Sequence, residues 1–149
     1  ISNRSRAFSL PNQLWARVFN IEVDIPEEEM EIKIDKVQLQ RVFDNILGNS
    51  IKHNEKGTNI YVSLKEKNDI YEIIIADDGK GISKDIANNI FEAFTVGDES
   101  RNSKQGSGLG LAIAKTIVDL HGGTIELVLA PPKELSTEFK ITLKKGPKL

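Results

Sequence analysis

Cysteine is absent from the chain, which excludes disulfides and thiolate metal centres and permits a reducing compartment. An excess of one charge is also lacking. Lys and Arg number 20 against 22 Asp and Glu, for a net charge of −2, so no electrostatic footprint for nucleic acid is present. No apolar run approaches the ~20 residues that a helix needs to cross a bilayer. Repeats, low-complexity segments and an internal linker are missing as well. What remains is 149 residues, 39% hydrophobic and 28% charged, which suits one domain with its own core. The chain opens on Ile1, so it is expected to be part of a longer protein, with 1–149 forming a single domain and 1–10 a linker from something upstream.

Periodicity sets out the elements. Pro11 at a first turn predicts a short helix ending near Asn20, with Leu14, Val18 and either Trp15 or Phe19 inward. Ile21, Val23 and Ile25 alternate with acids as a half-buried strand closed by Pro26, and a short strand is expected at 31–34. Asp35 with Gln38 three residues on marks a helix start. The helix runs to His53, with Val37, Phe43, Ile46, Leu47, Ser50 and Ile51 on its apolar side. Two alternating runs, Ile60/Val62/Leu64 and Tyr71/Ile73/Ile75, flank a hairpin turn at Lys67-Asn68-Asp69. A short helix is expected from Asp85 to Ala93, then a long polar loop over 95–107 of the kind that forms lids. The next helix carries Leu111, Ile113, Ala114, Ile117 and Leu120 and stops at Gly122-Gly123. Strands at 124–129 and 139–143, joined through Pro131-Pro132, end the pattern. Hairpin-linked strands alternating with helices predict an α/β two-layer sandwich, a mixed and largely antiparallel sheet with helices on one face.

Three segments carry chemistry. Arg41, Asn45, Asn49 and Lys52 share one face of the long helix. Their amide oxygens suit Mg²⁺ and their cations suit phosphate, though a polar stripe on an amphipathic helix is more often simply solvated. Asp77-Asp78-Gly79-Lys80-Gly81 follows a strand directly. Its glycines let a flat ligand approach the backbone, and a carboxylate at the strand end can accept from an exocyclic amine; an idle Asp-Gly turn would look the same. Gly106, Gly108 and Gly110 alternate at the mouth of a helix, where freed amides and the helix dipole favour an anion, or where the glycines serve only as a hinge. The spacing is neither that of a dinucleotide fingerprint nor that of a Walker A loop.

The succession of these segments, with Phe91-Glu92-Ala93-Phe94 between the second and third, resembles the histidine kinase branch of the gyrase, Hsp90, histidine-kinase and MutL ATPase superfamily. Its boxes fall at Asn45 to Asn54, Asp77 to Ile82, Phe91 to Phe94 and Gly106 to Leu111, and the likeness runs from about Asp35 to the last strand. The resemblance implies a Bergerat-type ATP-binding fold, with ATP and Mg²⁺ as cofactors. It implies Asn49 as the Mg²⁺ ligand, Asn45 facing the phosphates and Lys52 contacting them. His53 stands where an aromatic beside the adenine is frequent, a plain surface histidine being the alternative. Asp77 matches the reader of the adenine amino group, Gly79 and Gly81 make room for the ring, and Thr137 supports the aspartate. Gly106, Gly108 and Gly110 match the triphosphate wrap, while Ile82, Phe94, Leu109 and Leu111 complete the ATP-binding set.

The sequence departs from the family in two places. Val96 stands where many members have an arginine, leaving Arg101 or Lys104 for the γ-phosphate, and Ser136 replaces a glycine before Thr137. Hydrolysing members carry a glutamate where Asn45 stands, and an amide cannot act as a base near neutral pH. The resemblance therefore implies a kinase that passes the γ-phosphate to a histidine on a separate dimerisation domain, for relay to a response regulator. Neither His53 nor His121 lies in a phosphoacceptor segment, so no catalytic residue is assigned within the chain. It further implies a monomeric domain in the cytoplasm, from a homodimeric parent anchored in the bacterial membrane. The alternatives are an anti-sigma-factor-type serine kinase and a non-catalytic nucleotide-sensing module of the same superfamily.

Overall fold

The computed structural model describes residues 19–26, 34–92, 109–129, 131 and 135–145. They form strands β1 (Asn20–Asp24), β2 (Asn59–Lys67), β3 (Ile70–Asp77), β4 (Thr124–Val128) and β5 (Thr137–Lys144), and helices α1 (Lys36–His53), α2 (Lys84–Ala87) and α3 (Gly110–Leu120). The sheet has five strands in the order β1-β2-β3-β5-β4. β1 pairs with β2 in parallel, across a connection that contains α1, and every other pairing is antiparallel. The expected mixed two-layer sandwich is therefore the observed fold.

Alternation puts one face of the sheet into the core. Val62, Ile75 and Phe139 lie side by side across three strands, as do Leu64, Ile73 and Ile141. All six are buried under the helices. α1 starts as its sequence dictates, because the Asp35 carboxylate accepts from the amides of Val37 (2.9 Å) and Gln38 (3.1 Å). It buries Leu39, Val42, Phe43, Ile46, Leu47 and Ser50, one stripe at helical spacing. Val37 does not belong to that stripe: it is 73% exposed, because the register fixed by Leu39 and Val42 turns it outward.

The β2–β3 turn consists of Asn68 and Asp69, with Asn68 at φ 47°, the left-handed conformation that a two-residue hairpin requires. α2 is shorter than expected. Ser83 caps it, but beyond Ala87 the amides of Asn89, Ile90 and Glu92 bond three residues back, so the chain winds on as tight turns. Asn88 and Asn89 suit turns better than a helix interior, and Ala93 lies outside the described residues. Asn20 opens β1 where the first helix was expected to end, and 11–18 and 31–33 are also undescribed. Ile21 of β1 and Ile25 just beyond it pack against the core, whereas Val23 is largely exposed at the sheet edge.

α3 buries Leu111, Ala114, Ile117 and Val118, while Leu120, expected inside, is 79% exposed. Val118 takes the inward place, and Leu120, two residues on, points away. The helix ends in a Schellman arrangement: Gly122 has φ 74°, its amide bonds Asp119 O at 3.0 Å, and the Gly123 amide bonds Val118 O at 3.0 Å. Gly123 lies so close to β5 that a Cβ would run into Thr142 O and the side chains of Leu143 and Val118. Gly123→Ala is expected to destabilise the domain by about 1–3 kcal/mol through overpacking. Unchanged urea unfolding of that variant would show that the α3–β5 approach can relax.

Candidate functional site

β3 ends on Asp77, on the face that the helices cover and directly opposite Thr137 of β5. Both side chains are buried, Asp77 to 2% exposure. Burial pushes the Asp77 carboxyl up from its ordinary pKa, and the neighbouring Asp78 adds to the rise. The Gly79 amide, Ser50 and Asn54 act in the other direction. Asp77 Oδ1 accepts from the Gly79 amide at 3.0 Å, which folds the chain back at the strand end. The turn continues through Gly81 at φ 79°, a conformation that favours glycine.

This loop is held from two sides. On the α1 side, Asn54 donates from Nδ2 to Ser50 O (2.8 Å) and accepts at Oδ1 from the Lys80 amide (3.2 Å). Gly79 lies against that amide, and a Cβ there would coincide with the Asn54 head group. On the sheet side, the Ser136 amide donates to Asp77 O at 2.9 Å and its hydroxyl to Gly79 O at 2.6 Å. Ser136, the departure from the family's glycine, thus fastens the loop. Asp78 faces away and accepts from the amide and side chain of Asn59 at 2.9 and 2.7 Å, which ties the start of β2.

The polar face of α1 runs from this loop toward α3. Asn45 and Asn49 are partly buried, and Lys52 is exposed. His53 is partly buried in the last turn of the helix. Asn45 lies beside Gly110, whose added Cβ would be 3.8 Å from Asn45 Oδ1. Its Nδ2 is buried and bonded to no described residue. α3 itself starts on Leu109, whose side chain offers no acceptor, and no acidic residue lies in its first turn.

Of the residues expected from sequence, Asp77 and Gly79 share the turn at the end of β3, Gly81 lies against Ser136, Gly110 lies beside Asn45, and Asn49 is partly buried one turn further along α1. Ile82 packs against the core, and so does Phe91, which meets Phe139 edge-on at 6.1 Å between centroids. Leu111 is a core residue of α3. Phe94, Arg101, Lys104, Gly106 and Gly108 lie outside the described residues, as do Val96 and the expected lid. Ser50, Asn54 and Ser136 were not among the expected site residues. Two signals pointed to Asn54: it closes the first family box, and it stands at the end of an amphipathic helix, where a side chain can reach back to a carbonyl.

Residues 34–147 match the family described as Histidine kinase-, DNA gyrase B-, and HSP90-like ATPase, and the chain belongs to it. It is thus an ATP-binding domain of that fold, and its relatives are sensor kinases. It is 40% identical over 101 residues to the sensor histidine kinase YvrG of Bacillus subtilis (strain 168), covering 68% of this chain and 17% of that protein. It is 43% identical over 111 residues to the sensor protein KdpD of Clostridium acetobutylicum, covering 72% of this chain and 12% of that one. The chain therefore spans under a fifth of the length of either relative. Among solved structures, the mycobacterial sensor histidine kinase MprB superposes with a TM-score of 0.76 at 29% identity, over 91% of this chain and 90% of that one. The catalytic domain of the histidine kinase ThkA superposes with a TM-score of 0.72 at 21% identity, over 87% of this chain and 82% of that one, a likeness of fold.

Proposed function

We propose that this chain binds ATP with Mg²⁺ and presents the γ-phosphate to a histidine on a dimerisation domain of its parent protein, for relay to a response regulator. The observation that carries this reading is Asp77. It is a buried carboxylate at a strand end, beside a loop that Gly79 and Gly81 bend and that Asn54 and Ser136 hold in place. Such a group accepts from the exocyclic amine of adenine and repels the guanine carbonyl.

The donor set fits the rest of the ligand. Asn45 Nδ2 is a buried donor that no described residue satisfies, and its side chain lies beside Gly110 at the start of α3. Asn49, one turn on, offers a neutral oxygen. A neutral amide oxygen suits Mg²⁺, which takes most of its other oxygens from phosphate and water. Mg²⁺ would neutralise phosphate charge there. Lys52 adds a cation at the exposed end of the face, and Thr137 backs Asp77 from β5.

Asn45 stands where a hydrolysing site needs a base, and its amide cannot take a proton from water. An imidazole needs only placement near the phosphate. This favours transfer over hydrolysis. No described helix is long and apolar enough to cross a membrane. We place this domain on the cytoplasmic side of a membrane-anchored parent, as its likeness to sensor kinases suggests.

Calorimetric titration should give binding of ATP·Mg²⁺ and none of GTP at matched concentrations. With γ-labelled ATP, the chain should label the dimerisation domain of its parent while hydrolysing only a trace alone. Equal binding of the two nucleotides would overturn the adenine assignment, and brisk turnover by the isolated chain would overturn the preference for transfer.

A further inference from the structure

Ser50 is the polar member of the buried stripe on α1. It is 2% exposed, and its hydroxyl completes no hydrogen bond with any described residue. Its neighbours in the stripe, Ile46 and Leu47, are wholly apolar and fully buried. Packing alone gives no reason for an oxygen here: an alanine would fill nearly the same space with higher helix propensity and no polar group to desolvate. A buried hydroxyl left without a partner opposes folding, so its value has to lie in something it faces.

The backbone of Ser50 is tied to the end of β3. Asn54, one turn further along α1, bonds the Ser50 carbonyl and the Lys80 amide at once, so the backbone that carries Ser50 is tied to the glycine loop. Asp77 lies on the sheet face that looks at α1, with one carboxylate oxygen engaged by the Gly79 amide. The Gly79 amide leaves the other oxygen untaken. The side chains of Ser50 and Asn54 both favour the charged form of this carboxylate, while the Ser50 hydroxyl completes no hydrogen bond of its own.

We propose that Ser50 is a positioning residue for adenine selectivity, its buried hydroxyl orienting the outer oxygen of Asp77 toward the exocyclic amine. The inference rests on the reading of Asp77 given above. It assigns Ser50 no contact with phosphate or metal. The Gly79 amide already holds one oxygen of the carboxylate, and a hydroxyl can rotate to complete a bond to the other as the ligand seats.

The test pairs a variant with a ligand that lacks the amine. ATP and purine riboside triphosphate, which has hydrogen in place of the amino group, are titrated with Mg²⁺ against the unaltered chain and against Ser50→Ala. The unaltered chain should prefer ATP. Ser50→Ala should bind ATP roughly ten-fold more weakly, the equivalent of one hydrogen bond to a charged group, and should bind the purine riboside compound unchanged. Ser50→Cys, of similar size and a weaker donor, should fall between them and serves in place of the alanine variant if that chain does not fold. Equal losses for both nucleotides would overturn the inference, since a purely structural defect does not sense the amine. Unchanged ATP binding would overturn it as well. Failure of the unaltered chain to distinguish the two nucleotides would strike at the adenine reading itself, a result separable from the other two.

Discussion

Asp77→Asn is expected to weaken ATP binding roughly 10- to 100-fold, the range for losing a charge-assisted hydrogen bond in a buried site. The same substitution is expected to stabilise the nucleotide-free protein near neutral pH. Burial raises the Asp77 pKa above its ordinary value of 3.8, so the folded state holds that proton more tightly than the unfolded state does. The contribution of Asp77 to stability is then fully present below the ordinary carboxylate range and is lost as pH rises through the folded-state value. Asparagine keeps the acceptor for the Gly79 amide and removes the charge. The advantage of the variant in thermal unfolding should therefore widen between acid and neutral pH, while its ATP affinity stays low throughout. A variant less stable than the unaltered chain at neutral pH would mean that the ionised carboxylate is a net structural asset.

Phe139→Ala should cost about 3–5 kcal/mol, a large part of the ~5–15 kcal/mol that holds a domain together. Phe139 is fully buried at the centre of the sheet between Ile75 and Leu127, and it also receives the edge of Phe91. Its removal leaves a cavity under both the strands and the turns that follow α2. A fall in melting temperature on the order of 10 °C is expected. Val23→Ala on exposed β1 serves as the control and should stay within about 0.5 kcal/mol. If the two variants melted together, the core would not lie where the sheet register puts it.

Much of this fold can be read from local patterns, and the reasons are visible in particular residues. Asp35, the Asn68 turn and the Gly122-Gly123 stop are each governed by a few adjacent backbone groups, so the sequence around them is sufficient. Val37 and Leu120 misled because a helical period gives the width of an apolar stripe, while its edges are decided by the partner helix and sheet. In α1 the register locks on Leu39 and Val42, and in α3 on Val118. The site was legible where its residues fall in ordered motifs. Ser136 was not, because its bonds to Asp77 and Gly79 span 57 to 59 residues and exist only once β3 and β5 pair. Ser50 was read as a member of the apolar side, which describes its burial and misses its oxygen.

The start of α3 has a consequence of its own. A helix that opens on leucine, with no acid in its first turn, must find acceptors for its leading amides outside itself. The Asp77 loop, by contrast, is fastened by side chains from both layers. Under the function proposed above, the fastened corner selects the base, while the helix start, which Leu109 leaves without a capping side chain, is the part left to respond to the number of phosphates.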